Sequence, residues 1–276
     1  MKITILGNGT FGSVIASYLT HLGHSVSVDV ISDSEIIFVC VTSNLVLSSL
    51  LKLQKDITNQ KIVICSKGFA GEGKLISQVL KEEFKSGNEI FYLYGPTLAE
   101  ELEKDVLSGM ILAGGKGKDE IKKQIESESL YIELSDDAIG VEISAALKNV
   151  MAILIGIAQG AEYGQNTTAL VFTKAIQEIK NIGLALGGDT ETFLGLSCVG
   201  DVFLSSRNRL LGLELGKGGK LEDIIKETNY TPAGVFALKD AKMMIERLNI
   251  SAPLVELLYK IVFEGYSVRE MVKEIK

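Results

Sequence analysis

The chain has 276 residues, 46% apolar and 23% charged, with a formal net charge of −7. This composition builds a substantial core without metal or disulfide staples. The acidic balance excludes a general nucleic-acid-binding surface. A local cluster of basic residues would still accept an anionic substrate.

Taken in chain order, Lys2 to Leu6 is a short run rich in β-branched residues, read as a strand, and GNGTFG follows at once. Residues from Phe11 to Leu22 then repeat at helical spacing, with Val14, Ile15, Tyr18, Leu19 and Leu22 on one side. Gly7, Gly9 and Gly12 form G-x-G-x-x-G, with Thr10 and Phe11 inside the motif. The first glycine permits a tight turn, the second lets a pyrophosphate approach the backbone, and the third lets helix and strand pack closely. Free N–H groups and the dipole at the helix start favour the anion. An acid near the end of the second strand is expected on the ribose. Asp29 is the candidate, with Asp33 second, and a solvated turn residue is the alternative reading. An acid there favours the 2′-hydroxyl of NAD over the 2′-phosphate of NADP.

Val26 to Val30, Ile36 to Val41, Lys61 to Cys65 and Ile90 to Tyr94 are further strand candidates, with helical segments between several of them. The first half therefore reads as parallel α/β. Continuous apolar strands such as IIFVCV suit a sheet covered on both faces. From about Asp137 nearly everything reads as helix, broken at Gly187-Gly188 and at Leu215 to Lys220. The boundary falls near Ser135, so residues 1–135 are expected to bind a dinucleotide and residues 136–276 to form an all-helical substrate domain.

The N-terminal apolar stretch is too short for a secretory signal. The longest apolar tract, Val150 to Ala158, is shorter than a membrane span. A cytoplasmic protein with no membrane span is expected. Cys40, Cys65 and Cys198 lie far apart in apolar runs and read as reduced core thiols, with no disulfide framework and no metal site.

Lone charges in apolar surroundings stand out. Lys148 is the single charge between Ile143 and Gly160, a segment apolar on nearly every side. A helix of that kind is buried, and a buried ammonium needs a charged partner, a ligand or a lowered pKa. It is a candidate acid/base, the alternative being a lysine that snorkels to the surface. Asp201 is the first charge in the apolar stretch from Thr192, until Arg207 and Arg209 end it. It would pair with Lys148, or else cap a helix after Gly200. Lys67 follows an apolar strand directly, and ligands in open α/β sheets bind outside the carboxyl ends of the strands. Arg207 and Asn208 offer a forked guanidinium and an amide to a phosphate.

Together these stretches resemble the NAD(P)-dependent glycerol-3-phosphate dehydrogenase family. The matching segments are GNGTFG (7–12), CSKGF (65–69), GPTLAEE (95–101), GVEISAALKNVMAILIGIAQG (140–160), LALGGDTETFLGLSCVGD (184–201) and SRNRLLGLELGKGG (206–219), with a looser match at 250–265. The resemblance implies a Rossmann-like half joined to a helical substrate half. It places the catalytic lysine on Lys148 with Asn149 beside it, a second site lysine on Lys67, the aspartate on Asp201 and the phosphate-binding pair on Arg207 and Asn208. Ser205 takes the position of a hydroxyl that is usually threonine. Cofactor contacts fall on Gly9, Phe11, Leu45, Lys67, Ala99, Arg207 and Glu227. Two departures stand out. Between Gly23 and Val41 the chain is several tens of residues shorter than the family pattern, where a helix and a strand frame the adenosine. The stretch from Asp201 to Arg207 is also shortened.

The implied reaction is reversible reduction of dihydroxyacetone phosphate to sn-glycerol 3-phosphate, supplying glycerophospholipid synthesis. Its cofactor is NAD or NADP, with NAD slightly preferred. A small phosphorylated substrate is the expected partner; a homodimer is compatible with this reading. The competing readings are a related dehydrogenase for another small hydroxy acid or sugar phosphate, and a non-catalytic nucleotide-binding regulator.

Overall fold

The computed structural model describes every residue except Ser32, Gln54, Asp56, Lys85, Ser86, Ser205, Thr231 and Lys276. The strands are β1 (Lys2–Leu6), β2 (Ser25–Val28), β3 (Ile36–Val39), β4 (Lys61–Ile64), β5 (Phe69–Gly71), β6 (Lys74–Leu75), β7 (Glu89–Tyr94), β8 (Ser108–Gly114) and β9 (Leu130–Ser135). Seven of them form one sheet in the order β2-β1-β3-β4-β7-β8-β9, and β5 pairs with β6 in a separate hairpin. Every pairing from β2 to β7 is parallel, β8 runs antiparallel to β7, and β9 is parallel to β8.

The expectation of a parallel sheet therefore holds for five strands and is corrected for the last two. A parallel return needs a crossover, usually a full helix. Between β7 and β8 the chain has only the four-residue helix Ala99–Leu102, and it doubles back. Strand β2 stops at Val28 because Asp29 turns into the left-handed region (φ 56°). Strand β2 is also the outer strand of the sheet: it pairs with β1 alone, and among the described residues no other strand lies between it and β3.

Helices α1 (Thr10–His21), α2 (Val46–Leu53), α3 (Ile76–Glu83), α4 (Ala99–Leu102) and α5 (Lys118–Ile125) flank the sheet. On one face Ile3, Ile5, Phe38 and Phe91 pack with Val14, Ile15 and Leu19 of α1 and Ile121 and Ile125 of α5. On the other, Ile37, Val39, Ile62 and Ile64 meet Val46 and Leu50 of α2 and Ile76 and Leu80 of α3. Successive residues of a strand point to opposite faces, so both faces being covered explains why β3 is apolar throughout and β4 is apolar after Lys61. Each large aliphatic side chain buried in this way contributes about 1.5–3 kcal/mol.

The second half consists of α6 (Ala138–Gly160), α7 (Gly164–Ala185), α8 (Asp201–Phe203), α9 (Arg207–Gly216), α10 (Leu221–Thr228), α11 (Ala233–Leu248), α12 (Pro253–Phe263) and α13 (Met271–Glu274), with shorter turns between. Helix α6 is its axis. It is long and apolar enough to cross a membrane, but 83% of its apolar window is buried inside the protein, as a central core helix requires. Its first turns also pack on the sheet through Val141 and Ala145. The two halves thus share a core.

Helices α6 and α9 touch backbone to backbone. A Cβ on Gly156 or Gly160 of α6 would lie 2.2 Å from the Arg209 carbonyl oxygen or 1.9 Å from that of Leu213. Conversely, a Cβ on Gly212 of α9 would lie 2.0 Å from the Ile153 carbonyl oxygen. Small residues one helical turn apart permit this approach, and it fixes the N-terminus of α9 beside Asn149.

Candidate active site

The glycine turn joins β1 to α1. Gly7 adopts φ +104°, and its N–H donates to Asp29 Oδ1 at 2.7 Å. A Cβ on Gly12 would lie 1.9 Å from the Gly7 carbonyl oxygen, so helix and strand meet at a distance only glycine allows. Gly9 differs: a Cβ there would meet nothing within 4 Å. It is the N-cap of α1 and has no side chain to occupy the helix start. Open space over a bare helix N-terminus fits the pyrophosphate of a dinucleotide. Thr10 is exposed and Phe11 half-buried against the core. Asp33, the second ribose candidate, lies on the surface near Lys2 at 3.7 Å.

Lys67, Gly95 and the glycine turn all follow carboxyl ends of parallel strands: β4, β7 and β1 respectively. Lys67 Nζ donates to the Gly95 carbonyl at 2.8 Å and to Asp201 Oδ2 at 2.5 Å. Lys148 Nζ, from the middle of α6, donates to Asp201 Oδ1 at 2.7 Å. One carboxylate therefore holds two ammonium groups, one oxygen each. Asp201 is 1% exposed, whereas the lysine side chains are 22% and 13% exposed for Lys67 and Lys148. The anion is buried, and the two cations remain partly open to solvent.

Burial lowers the Lys67 pKa, and the neighbouring Lys148 lowers it further, while the Asp201 charge opposes both. A lysine poised in this way releases a proton more readily than a free one. Asp201 comes directly after a π-helical turn, Leu196–Gly200, a distortion frequent at functional sites. Its carboxylate accepts from the two lysines, so the alternative reading of it as a helix cap is set aside. Tyr94 Oη steadies the Lys67 loop by donating to the Ser66 carbonyl at 2.9 Å.

Beside Lys148, Asn149 turns to another partner. Its Oδ1 accepts from Asn208 Nδ2 at 2.9 Å, and Asn208 Oδ1 accepts from Gly234 N–H at 2.7 Å. The contact of Asn149 is thus with Asn208 rather than with the Lys148 ammonium. Arg207 and Asn208 diverge at the N-terminus of α9: Asn208 is buried, while the exposed Arg207 guanidinium lies over the Tyr230 ring, 4.8 Å from its centroid. Ser205 lies outside the described residues.

Sequence reasoning missed Ser206, the N-cap of α9, whose Oγ is buried with no partner among the described residues. Serine ahead of a helix is an N-cap signal, and that signal was present. Tyr230 and the Gly95 carbonyl carried none.

The remaining expected cofactor contacts are spread around this edge. Leu45 is exposed in the turn after β3, Ala99 opens α4, and Glu227 is exposed on α10, three residues before Tyr230. A cavity of about 990 Å³ lined by Gly160, Lys217, Lys220, Tyr266 and Arg269 lies toward the far end of α6 and contains none of the expected site residues.

Among families, the one described as "NAD-dependent glycerol-3-phosphate dehydrogenase N-terminus" matches residues 27–119, and its C-terminal counterpart matches residues 137–273. A glycerol-3-phosphate dehydrogenase [NAD(P)+] from Fusobacterium nucleatum is 30% identical, covering 100% of this chain and 96% of the relative. That alignment runs over 323 positions against the 276 residues here, in keeping with a trimmed chain. A crystal structure of glycerol-3-phosphate dehydrogenase from Coxiella burnetii superposes with a TM-score of 0.91 at 22% identity, covering 99% of this chain and 98% of that one. The enzyme from Saccharomyces cerevisiae gives 0.89 at 20% identity, covering 100% and 99%. At such identities the structures speak for the fold alone. Family match, full-length relative and fold agree, and the chain belongs to the NAD(P)-dependent glycerol-3-phosphate dehydrogenase family.

Proposed function

We propose that the protein catalyses the reversible NAD(P)H-dependent reduction of dihydroxyacetone phosphate to sn-glycerol 3-phosphate. The observation that carries this reading is the grip of Lys67 and Lys148 on one buried aspartate, at the sheet edge that also bears the glycine turn. Residues 1–135 serve the dinucleotide and residues 136–276 the substrate. Gly7 to Gly12 hold the pyrophosphate, Asp29 the ribose, and Leu45, Ala99, Arg207 and Glu227 complete the cofactor contacts. When bound, the reduced nicotinamide supplies the hydride.

The carbonyl oxygen of the substrate acquires negative charge during reduction. Lys148 gives it a proton, and takes one back in the reverse direction. Lys67 stabilises the developing alkoxide through its ammonium. Asp201 holds both cations in place, since two ammonium groups this close would otherwise repel each other. Arg207 binds the phosphate, with Ser206 at the same helix start, and that remote contact serves orientation; Asn208, engaged with Asn149 and the Gly234 N–H, holds the helix start in place. The proposed setting is the cytoplasm, with which three free thiols are compatible.

The test is reduced-cofactor oxidation with dihydroxyacetone phosphate, using NADH and NADPH in parallel. Turnover with at least one cofactor is expected. No turnover with either would overturn the proposal.

A further inference from the structure

Two thiols outside this machinery face each other beneath the glycine turn. Val39 and Ile64 are register partners at the ends of β3 and β4, so Cys40 and Cys65 follow as the next pair. The Cys65 N–H continues the ladder to the Val39 carbonyl at 2.9 Å. Residues paired in a parallel ladder project to the same face, and both side chains pack into the core on the α1 side. The Cys65 thiol itself donates to the Val63 carbonyl at 3.9 Å. Neighbouring strands lie about 5 Å apart, within the ~4.4–6.8 Å between Cα atoms that a disulfide spans. Cys40 is partly open to solvent, whereas Cys65 and Cys198 are buried.

We infer that Cys40 and Cys65 form a reversible disulfide when a peroxide oxidises them, and that this bond weakens dinucleotide binding at the glycine turn. The sulfur of Cys40, the less buried of the two residues, attacks one peroxide oxygen as the thiolate. The O–O bond breaks, the departing hydroxide takes up the proton Cys40 released, and Cys40 becomes a sulfenic acid. The Cys65 sulfur then attacks the Cys40 sulfur. An S–S bond forms, the S–O bond breaks, and the hydroxyl leaves as water with the Cys65 proton. Two thiols lose two electrons in total, and one peroxide becomes two waters.

The neighbouring Cys40 thiol, and then burial, hold the Cys65 thiol well above its usual pKa, while the Lys67 ammonium opposes them. Cys65, the more buried of the two, is therefore the resolving partner and not the first target.

Cys40 is the floor of the turn. A Cβ on Gly7 would lie 2.8 Å from the Cys40 carbonyl carbon, and one on Gly12 would lie 3.2 Å from Cys40 Cβ. The other partner, Cys65, stands two residues before Lys67. Between them Ser66 Oγ reaches the carbonyls of Val39 and Val41 at 3.2 and 2.6 Å. Drawing the two sulfurs into bonding distance shifts the strand ends that carry both the turn and Lys67. A disulfide that strains the strands it joins is the readily reduced kind.

The effect on the cofactor rests on the function proposed above; the bond does not. Full-length protein is treated with hydrogen peroxide, mapped by non-reducing peptide mass spectrometry, and titrated calorimetrically with NADH. The expected result is a Cys40–Cys65 cross-linked peptide and an NADH Kd raised at least about tenfold, both reversed by dithiothreitol. Cys198→Ser should behave as the wild type does. Cys40→Ser and Cys65→Ser should show no cross-link, and peroxide should leave the NADH affinity of Cys40→Ser unchanged. Oxidation of Cys40 to sulfinic acid without a cross-link would overturn the bond. A cross-link that leaves NADH affinity unchanged would overturn the coupling. Untreated protein that binds no NADH would overturn the coupling and the cofactor reading together, while the cross-link map still decides the bond.

Discussion

Asp201→Asn removes one negative charge and almost no volume, so its effect reports the electrostatics of the two-lysine site directly. In the wild type the carboxylate is 1% exposed and lies 2.5 Å from Lys67 Nζ and 2.7 Å from Lys148 Nζ. At an effective dielectric near 20, unit charges about 4 Å apart attract by roughly 4 kcal/mol. Desolvation of the ions offsets part of that attraction. Breaking a buried pair from one side costs about 3–5 kcal/mol, because the partner charge stays behind.

Here two cations stay behind, and Lys67 limits the loss by releasing its proton. Burial already lowers its pKa, against the opposing Asp201 charge, so the variant's value lies lower still. A chain of this size loses roughly 2 °C of Tm per kcal/mol, so the variant should melt roughly 6–10 °C below the wild type by circular dichroism. The sign of the pH dependence follows from the same lysine. With a folded-state pKa below the ordinary 10.5, the unfolded state binds more protons between those two values. Stability therefore rises with pH across that window, more steeply in the variant. Turnover should fall at least about 10²-fold, as the acid loses its positioning. A variant that melts with the wild type and keeps its turnover would refute the electrostatic account of the site.

Lys148→Ala should lower kcat by at least about 10²-fold while the protein stays folded; wild-type turnover would move the search for the acid to Lys67. Gly9→Ala should melt at the wild-type temperature, because the new Cβ meets no protein atom within 4 Å, yet bind NADH more weakly in calorimetry. Unchanged affinity would place the pyrophosphate elsewhere. Arg207→Ala should raise KM for dihydroxyacetone phosphate much more than for unphosphorylated dihydroxyacetone, and equal losses would assign Arg207 to the cofactor or the fold. Glu178 accepts from the Leu254 and Val255 N–H groups at the start of α12, both at 2.8 Å, and burial raises its pKa from 4.5 to about 7. Between those values the folded state keeps a proton that the unfolded state has lost, so stability falls as pH rises. Glu178→Gln should lack that slope and gain on the wild type by roughly 2–3 kcal/mol between pH 5 and 7.5 in urea unfolding. A constant difference would contradict the shift.

Most of the N-terminal half was legible because its signals are local. The apolar runs of β1, β3, β4 and β7, the glycine spacing at 7, 9 and 12, and the helical period of α1 each lie within a short window. So does the cost of burying a lone charge, which marked Lys148 and Asp201 before any contact was known. Strands β8 and β9, the β5-β6 hairpin and the reversal at β8 were not legible. Strands β5 and β6 have only three and two residues, too few to carry a period, and the direction of β8 depends on which edge of β7 is left open.

The pairing of Lys148 with Asp201 was legible as two lone charges, but only the tertiary structure brought Lys67 to the same carboxylate. Lys67 and Asp201 are 134 residues apart and Lys148 and Asp201 are 53 apart, yet all three share one hydrogen-bonded centre. The same holds for the turn of Asn149 toward Asn208, which follows from the backbone contact of α6 with α9, and for the pairing of Cys40 with Cys65, which follows from strand register. Local sequence sets which groups pay a desolvation penalty. Partners for those groups are chosen only when packing brings distant segments within a few ångströms, where charge and hydrogen-bond energies become large enough to select one arrangement.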